Sequence, residues 1–360
     1  GRQSAAHSHR LDINSHRGSD AMQLLLYIIR RLLLLIPLLF GVTLIVFILT
    51  RVVIEGSPVD RMVPPMASAE VRERIADQFG LNDPILVQYA AYMRGVVTGD
   101  LGISFTTSRP VAEDLAQFFP ATFELTTYAM LLAVLIGVPL GVLAALGRDT
   151  WVDHLSRFVS VFGVAMPVFW LSLIAIYFLF YRWHIVAAPI GRLNPRMRPP
   201  DQITGLYVPD SILTGNWATL GESSKVLLLP VVILAFGAMA PLARMARSGM
   251  VDALDSQYVT AARALGLPWP AIAMRYALKN ALLPVITMTS VVYGYLLGGS
   301  VLVENIFAWP GLGRYAYDAI AGNDYAAIQG FILYAATMYV VLFIFADIAY
   351  RLLDPRVRVG

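Results

Sequence analysis

The segment Met250–Pro284, MVDALDSQYVTAARALGLPWPAIAMRYALKNALLP, is moderately polar and lies between two long apolar runs. Residues 252–264 are rich in Ala, Leu, Gln and Arg, which favour helix formation. Gly266 stands where a helix can end in a left-handed residue. Pro268 suits the first turn of the next helix, because its missing N–H would be unbonded there. The segment therefore predicts a helix–turn–helix projection outside a membrane, a shape that suits docking rather than chemistry.

The composition of the chain is that of a membrane protein. Of its 360 residues, 58% are hydrophobic and 14% are charged, whereas a soluble domain carries about 25% charged residues. The chain contains no cysteine, which excludes disulfides, thiol catalysis and cysteine metal sites. The net charge is +3, but the sequence has no cluster of basic residues interleaved with aromatic ones. Nucleic-acid binding is therefore not expected.

Uncharged runs divide the rest of the chain, and each is about long enough to cross ~30 Å of hydrocarbon. We therefore predict an all-α, polytopic membrane protein with six transmembrane helices. Residues 1–21 are polar and are interpreted as a tag or non-native extension, which leaves residues 22–360 as the transmembrane domain. The predicted spans are 32–50, 125–147, 158–181, 226–243, 280–303 and 325–346.

The distribution of Lys and Arg predicts the orientation of the spans. If the N-terminus lies inside the cell, the inner segments hold more basic residues than the two short outer loops. Both termini and the loop 250–284 are then cytoplasmic. The segment 51–124 becomes a long external connection, which is largely exempt from the rule because of its length. Helical spacing at residues 69–79 and 86–97 suggests two short helices there, as a cap over the outer mouth.

Two stretches of the chain carry a resemblance to a known family. The run 260–266, TAARALG, resembles the Glu-Ala-Ala loop of ABC-importer permeases, and the wider run QYVTAARALGL is similar to their dipeptide/oligopeptide branch. Thr260 stands in place of the Glu, and Lys279 stands where many permeases have Pro. By itself, this loop could also be an ordinary amphipathic hairpin at the membrane surface.

The second stretch is Phe307–Gly313, FAWPGLG. Its Pro and Gly break a helix and would leave Trp309 at the membrane interface, where aromatic rings are favoured. The run 99–104, GDLGIS, is also similar to this branch, whereas residues 56–59, GSPV, lack the Asp of its usual Gly-Asp-Pro-Val. On these motifs the chain is identified as a member of the dipeptide/oligopeptide ABC-importer permease family, resembling its B-type subunit.

The resemblance implies a type I ABC-importer transmembrane domain with cytoplasmic coupling helices, in a bacterial inner membrane. It further implies a second homologous permease, two cytoplasmic ATP-binding subunits or domains and an extracytoplasmic substrate-binding protein. The partner ATPases would use Mg-ATP, and this chain would bind no cofactor or metal. The implied ATPase-coupling residues are Asp255, Tyr258, Thr260, Ala261, Ala262, Gly266 and Leu267, and the implied outer-gate residues are Trp309, Pro310 and Gly311.

Catalytic motifs are absent from the sequence. It contains no Gly-x4-Gly-Lys-Ser/Thr, His-Glu-x-x-His or Gly-x-Ser-x-Gly, so we expect neither an ATPase nor another enzyme. The predicted spans lack internal charged residues, which argues against ion coupling. A stand-alone secondary carrier or channel nevertheless remains the alternative. Glycines within the spans, such as Gly137, Gly141 and Gly163, suit either close helix packing or hinges.

Overall fold

The computed structural model describes residues 29–30, 33–53, 59, 63, 66–78 and 80–353. The proposed extension 1–21 and residues 56–58 of the GSPV run lie outside them. Within these ranges the chain is helical, and the only β-type pairing is an isolated bridge between Ile103 and Pro110. The all-α prediction is confirmed.

Thirteen helices are assigned in the described part of the chain, three of them with π-helical turns. The π-helical turns are Leu49–Val53, Ile176–Arg182 and Ile272–Ala277. In chain order the helices are α1 (Leu33–Arg51), α2 (Ala69–Gln78), α3 (Ile85–Thr98), α4 (Val111–Leu146), α5 (Trp151–Ala165), α6 (Val168–Ala175), α7 (Tyr207–Leu213), α8 (Trp217–Leu254), α9 (Gln257–Ala264), α10 (Trp269–Gly298), α11 (Val301–Ile306), α12 (Leu312–Ala321) and α13 (Tyr325–Leu353).

Five helices, α1, α4, α8, α10 and α13, are long and apolar enough to cross a membrane, and the α5–α6 pair makes a sixth span if it crosses as one. The predicted span 158–181 is not a single straight helix, because the pair is bent by 100°. The break lies at Met166, which is extended, and Pro167. Proline disfavours the helical conformation in the residue before it and lacks the N–H that would continue the helix.

The long helices extend beyond the apolar runs. α4 begins at Val111 instead of residue 125, and α10 begins at Trp269 instead of residue 280. Pro284 therefore lies inside α10 and does not open a new span. The second helix of the predicted helix–turn–helix is thus the base of α10 itself, so the loop 250–284 is continuous with two membrane helices.

Three glycines bring α4 and α5 against α8. A Cβ at Gly137 would lie 3.0 Å from the carbonyl oxygen of Met239, and one at Gly163 would lie 2.7 Å from Ala240 Cβ. Gly141 faces the carbonyl oxygen of Ala243 even more closely. These contacts support the packing explanation for the three glycines, since any side chain would push the helices apart.

The bundle has two ends, each with its own buried cluster. At the α9 end, Met250, Val259 and Ile272 pack together with the last turn of α4. At the opposite end, which we call the Trp309 end, Leu125 and Trp309 belong to a cluster that also includes the first half of α8. α4 and α8 run parallel between these ends, so α9 and the FAWPGLG run lie at opposite ends of the bundle.

Candidate functional site

The turn after α9 is built as the sequence predicts. Gly266 adopts a left-handed conformation with φ +73°. Its N–H donates to the carbonyl of Arg263 at 2.9 Å, and the N–H of Leu267 donates to the carbonyl of Ala262 at 3.2 Å. These bonds satisfy carbonyls that the end of α9 would otherwise leave open. A Cβ at Gly266 would meet no atom within 4 Å, so the turn requires glycine for its backbone conformation and not for space.

One face of α9 is buried within the chain itself. Val259 is 1% exposed and Ala262 is 6% exposed, and both belong to a buried cluster that includes Met250 of α8 and Ile272 of α10. Their spacing of three residues puts them on the same side of the helix. Ala262, one of the implied coupling residues, is therefore covered by the chain's own helices in this structure.

The other face of α9 and its turn are open to solvent. Leu265, in the turn after α9, is 80% exposed. Arg263 places its guanidinium over the Trp269 ring, 4.6 Å from the centroid. Of the implied coupling residues, Leu267 is half-buried and the exposed ones are Asp255, Tyr258, Thr260, Ala261 and Gly266.

A buried carboxylate joins α5 to α8 near this surface. Asp153 has no exposed side-chain area and accepts hydrogen bonds from Arg247 and Arg157, each at 2.6 Å. Arg148, just after α4, lies 3.9 Å from Asp255 at the start of the α9 segment, where both side chains are exposed. Sequence reasoning missed Asp153, although its spacing of four residues from Arg157 is a recognisable pairing signal.

At the other end of the bundle, the FAWPGLG run is folded into the protein. Trp309 is 1% exposed, and its indole N–H donates to the carbonyl of Ala121 at 2.9 Å. The expectation that its ring lies at the membrane interface is therefore wrong. The break at Pro310 and Gly311 turns the chain so that the indole enters the cluster around α4, where its N–H finds a partner.

Glu304 is the polar centre of the Trp309 end. It is fully buried and accepts hydrogen bonds from the hydroxyls of Thr122 and Ser300, both at 2.8 Å. It also accepts from the backbone N–H groups of Gly313 at 2.8 Å and Arg314 at 3.1 Å, which open α12. Burial raises the pKa of Glu304, and these hydrogen bonds oppose the rise. A Cβ at Gly311 would strike this carboxylate.

A second buried carboxylate, Glu124 of α4, holds the connection between α6 and α7. It pairs with Arg192 at 2.6 Å and accepts from the N–H of Val208 at 2.7 Å. The Arg192 guanidinium also lies over the Tyr207 ring, 3.7 Å from its centroid. Glu124 and Glu304 adjoin the ends of predicted spans, so sequence reasoning treated them as boundary residues. The pairings of Glu124 with Arg192 and of Glu304 with Thr122 join residues 68 and 182 positions apart, so these pairings left no local signal.

The buried carboxylates at both ends of the bundle hold neighbouring helices together. Each buried carboxylate described above has its donors within the chain. Among the residues that the structure describes, no group of three or more His, Asp or Glu side chains is placed to hold a metal ion.

Comparison with known proteins identifies relatives along nearly the whole chain. Residues 137–359 match the family described as binding-protein-dependent transport system inner membrane component, and residues 24–126 match its N-terminal family. The dipeptide transport system permease protein DppB of Alkalihalophilus pseudofirmus is 42% identical over 335 residues, covering 93% of this chain and 100% of that protein. The probable D,D-dipeptide transport system permease protein DdpB of Escherichia coli is 41% identical, covering 89% of this chain and 94% of that protein.

Two less similar proteins have names that refer to other substrates. The glutathione transport system permease protein GsiC of Escherichia coli is 34% identical, covering 92% of this chain and 98% of that protein. A solved structure of the MetNI methionine ABC transporter in inward-facing conformations gives a TM-score of 0.49 at 18% identity, covering 67% of this chain and 96% of that one.

Proposed function

The chain belongs to the family of binding-protein-dependent transport system inner membrane components, and on that premise we propose that it is the permease subunit of an ATP-driven importer of short peptides. The peptide class rests on relatives named as dipeptide transport permeases, which align with nearly all of this chain. In this proposal the chain forms half of the translocation pathway, and a second homologous permease forms the other half.

The observation that carries the mechanism is the seating of α9. Its buried face contacts the ends of α8 and α10, while its other face is open. Two cytoplasmic ATP-binding subunits or domains would grip the open face. When they close on Mg-ATP, which the partners and not this chain would bind, α9 would push on the helices beneath it. Because packed helices move as rigid bodies, the push would tilt the bundle and exchange outer access for inner access.

The proposed setting is a bacterial inner membrane, with both termini and α9 in the cytoplasm. The basic residues near the span ends support this orientation. The Trp309 end would then face outward, where an extracytoplasmic binding protein delivers the substrate. Trp309 and Glu304, which are both buried, would hold the helices of this outer end together while the implied outer gate is closed.

The test is ATP-driven uptake in liposomes that hold the assembled complex. Ala261→Arg keeps a good helix former on the exposed face of α9 but adds bulk where the ATPase would sit. Gly266→Arg adds bulk and also resists the positive φ, at a cost of roughly 1 kcal/mol. We expect both variants to insert into the membrane and to lose coupling between ATP hydrolysis and uptake.

The matched control is Ala218→Arg, an exposed helical alanine on the first turn of α8 at the opposite end of the bundle. It should retain coupled uptake. Normal uptake by both α9 variants would remove this surface as the coupling element. Uptake by this chain in vesicles without any ATPase would instead support the stand-alone carrier or channel.

A further inference from the structure

A large cavity lies beside the bundle, apart from both surfaces discussed above. Its volume is about 990 Å³, and it opens between the end of α1, α3, the connection to α4 and the start of α13. Cavities of roughly 300–1,000 Å³ are the usual size of small-molecule sites. Phe47 and Arg51 of α1, Tyr92 of α3 and Gln329 of α13 all line it.

Arg51 contributes a positively charged guanidinium group to the cavity wall. Its Nε is buried and donates no hydrogen bond to any residue that the structure describes. The adjacent Thr50 is held in place, because its hydroxyl accepts a bond from Gln329 Nε2 at 2.6 Å. The end of α1 is thus fixed to α13, while the Arg51 Nε has no hydrogen-bond acceptor among the described residues. A buried N–H without an acceptor is costly, and a carboxylate matches the guanidinium fork best.

The remaining walls suit the other parts of a small zwitterion. Phe47 and Tyr92 stack with ring centroids 6.0 Å apart, and Phe105 lines the same cavity, so apolar side chains have a surface to contact. Asp83 and Asp100 also line it, one at each end of α3. These carboxylates complement an ammonium group. The cavity therefore combines a cation, anions and aromatic rings within one space.

We propose that this cavity binds a short peptide, with Arg51 holding its free C-terminal carboxylate. The inference rests on the proposed function for the peptide class, and it adds a binding site on this chain that is separate from α9 and the Trp309 end. Backbone carboxylate recognition is independent of the peptide's side chains. The site would therefore accept many sequences but would discriminate against peptides whose C-terminus is blocked.

The experiment measures equilibrium binding of radiolabelled alanyl-alanine and of its C-terminal amide to the assembled complex, without the substrate-binding protein. Because a charge-assisted bond is lost, the amide should bind at least about tenfold more weakly than the free acid. Arg51→Gln should weaken binding of the acid and abolish the preference. Arg51→Lys, which keeps the positive charge but loses the planar guanidinium, should retain part of the preference for the free acid.

The control is Arg94→Gln on α3, an exposed arginine that does not line the cavity, and it should keep the full preference. Equal binding of acid and amide by the unaltered complex, no binding of either, or an unchanged preference in Arg51→Gln would overturn the proposal. If the Arg51→Gln complex does not assemble, the proposal is tested by comparing the binding of acid and amide to the Arg51→Lys complex and to the unaltered complex. ATP-driven peptide uptake by the unaltered complex is scored separately, so the proposed function can stand when the cavity proposal fails.

Discussion

Glu304 shows how one residue can organise a whole end of the molecule. Its carboxylate receives two hydroxyls and two backbone N–H groups, and the donors come from α4, α12 and the residue before α11. The hydroxyls of Thr122 and Ser300 can rotate, whereas the N–H groups of Gly313 and Arg314 are fixed by the start of α12. The consequence of a substitution at Glu304 therefore depends on whether an acceptor remains for those two N–H groups.

We expect Glu304→Leu to lower the free energy of unfolding by about 3 kcal/mol or more, because buried donors lose their acceptor. Glu304→Gln should cost less, since its amide oxygen can serve the N–H groups while the hydroxyls turn to accept from its NH₂. Thermal unfolding of the purified complex measures both. Glu113→Gln, at an exposed position on α4, is the control and should leave the unfolding temperature unchanged. A Glu304→Leu protein as stable as this control would contradict the capping role.

At the scale of the element, two adjacent alanines of α9 test its two faces separately: the exposed face and the face that is buried in the bundle. Ala261 is exposed and Ala262 is buried against α8 and α10. Ala261→Arg should leave α9 seated, because the new side chain points away from the bundle. Ala262→Arg should unseat it, because a buried, unpaired charge is far more costly than an exposed one.

The measurement uses a cysteine introduced at Val259, which is 1% exposed in the seated helix, in a chain that has no native cysteine. Maleimide labelling of Val259→Cys should be slow when combined with Ala261→Arg and fast when combined with Ala262→Arg. Equal labelling rates in the two combinations would mean that α9 does not rest on α8 and α10 as described.

The whole molecule is arranged so that its two ends differ in kind. The α9 end exposes Leu265 and carries exposed charges, whereas the Trp309 end buries its aromatic ring and its carboxylates. α4 and α8 connect the two ends, and Gly137 and Gly141 allow the two helices to approach closely. In the proposed mechanism, a displacement at the α9 end would be passed along these packed helices toward the Trp309 end, because close-packed interiors transmit strain.

The proposed orientation can be tested with single cysteines at the two ends. Gln202 lies in the exposed connection before α7, while nearby Gly205 packs against Pro120 and is a poorer site. Gln202→Cys should react with a membrane-impermeant maleimide in intact cells. Leu265→Cys should react only after the membrane is opened. Reaction of both in intact cells would show that the proposed topology is wrong.

The sequence by itself determined the helical class, the number of apolar runs and the turn at Gly266. These features depend on local chemistry: the length of uncharged runs, the missing N–H of proline and the freedom of glycine to adopt positive φ. The family could likewise be recognised from two short motifs. The cytoplasmic side of the loop and its role in coupling stay predictions.

Only the tertiary structure decided which side chains are buried and with whom they pair. Thr122 and Glu304 are 182 positions apart in the chain, and Arg192 and Glu124 are 68 apart, so no local pattern links them. The same reason explains why Trp309 lies inside the bundle and why Ala262 faces its own chain. Burial is set by what the rest of the fold brings alongside a residue, and hydropathy alone does not contain that information.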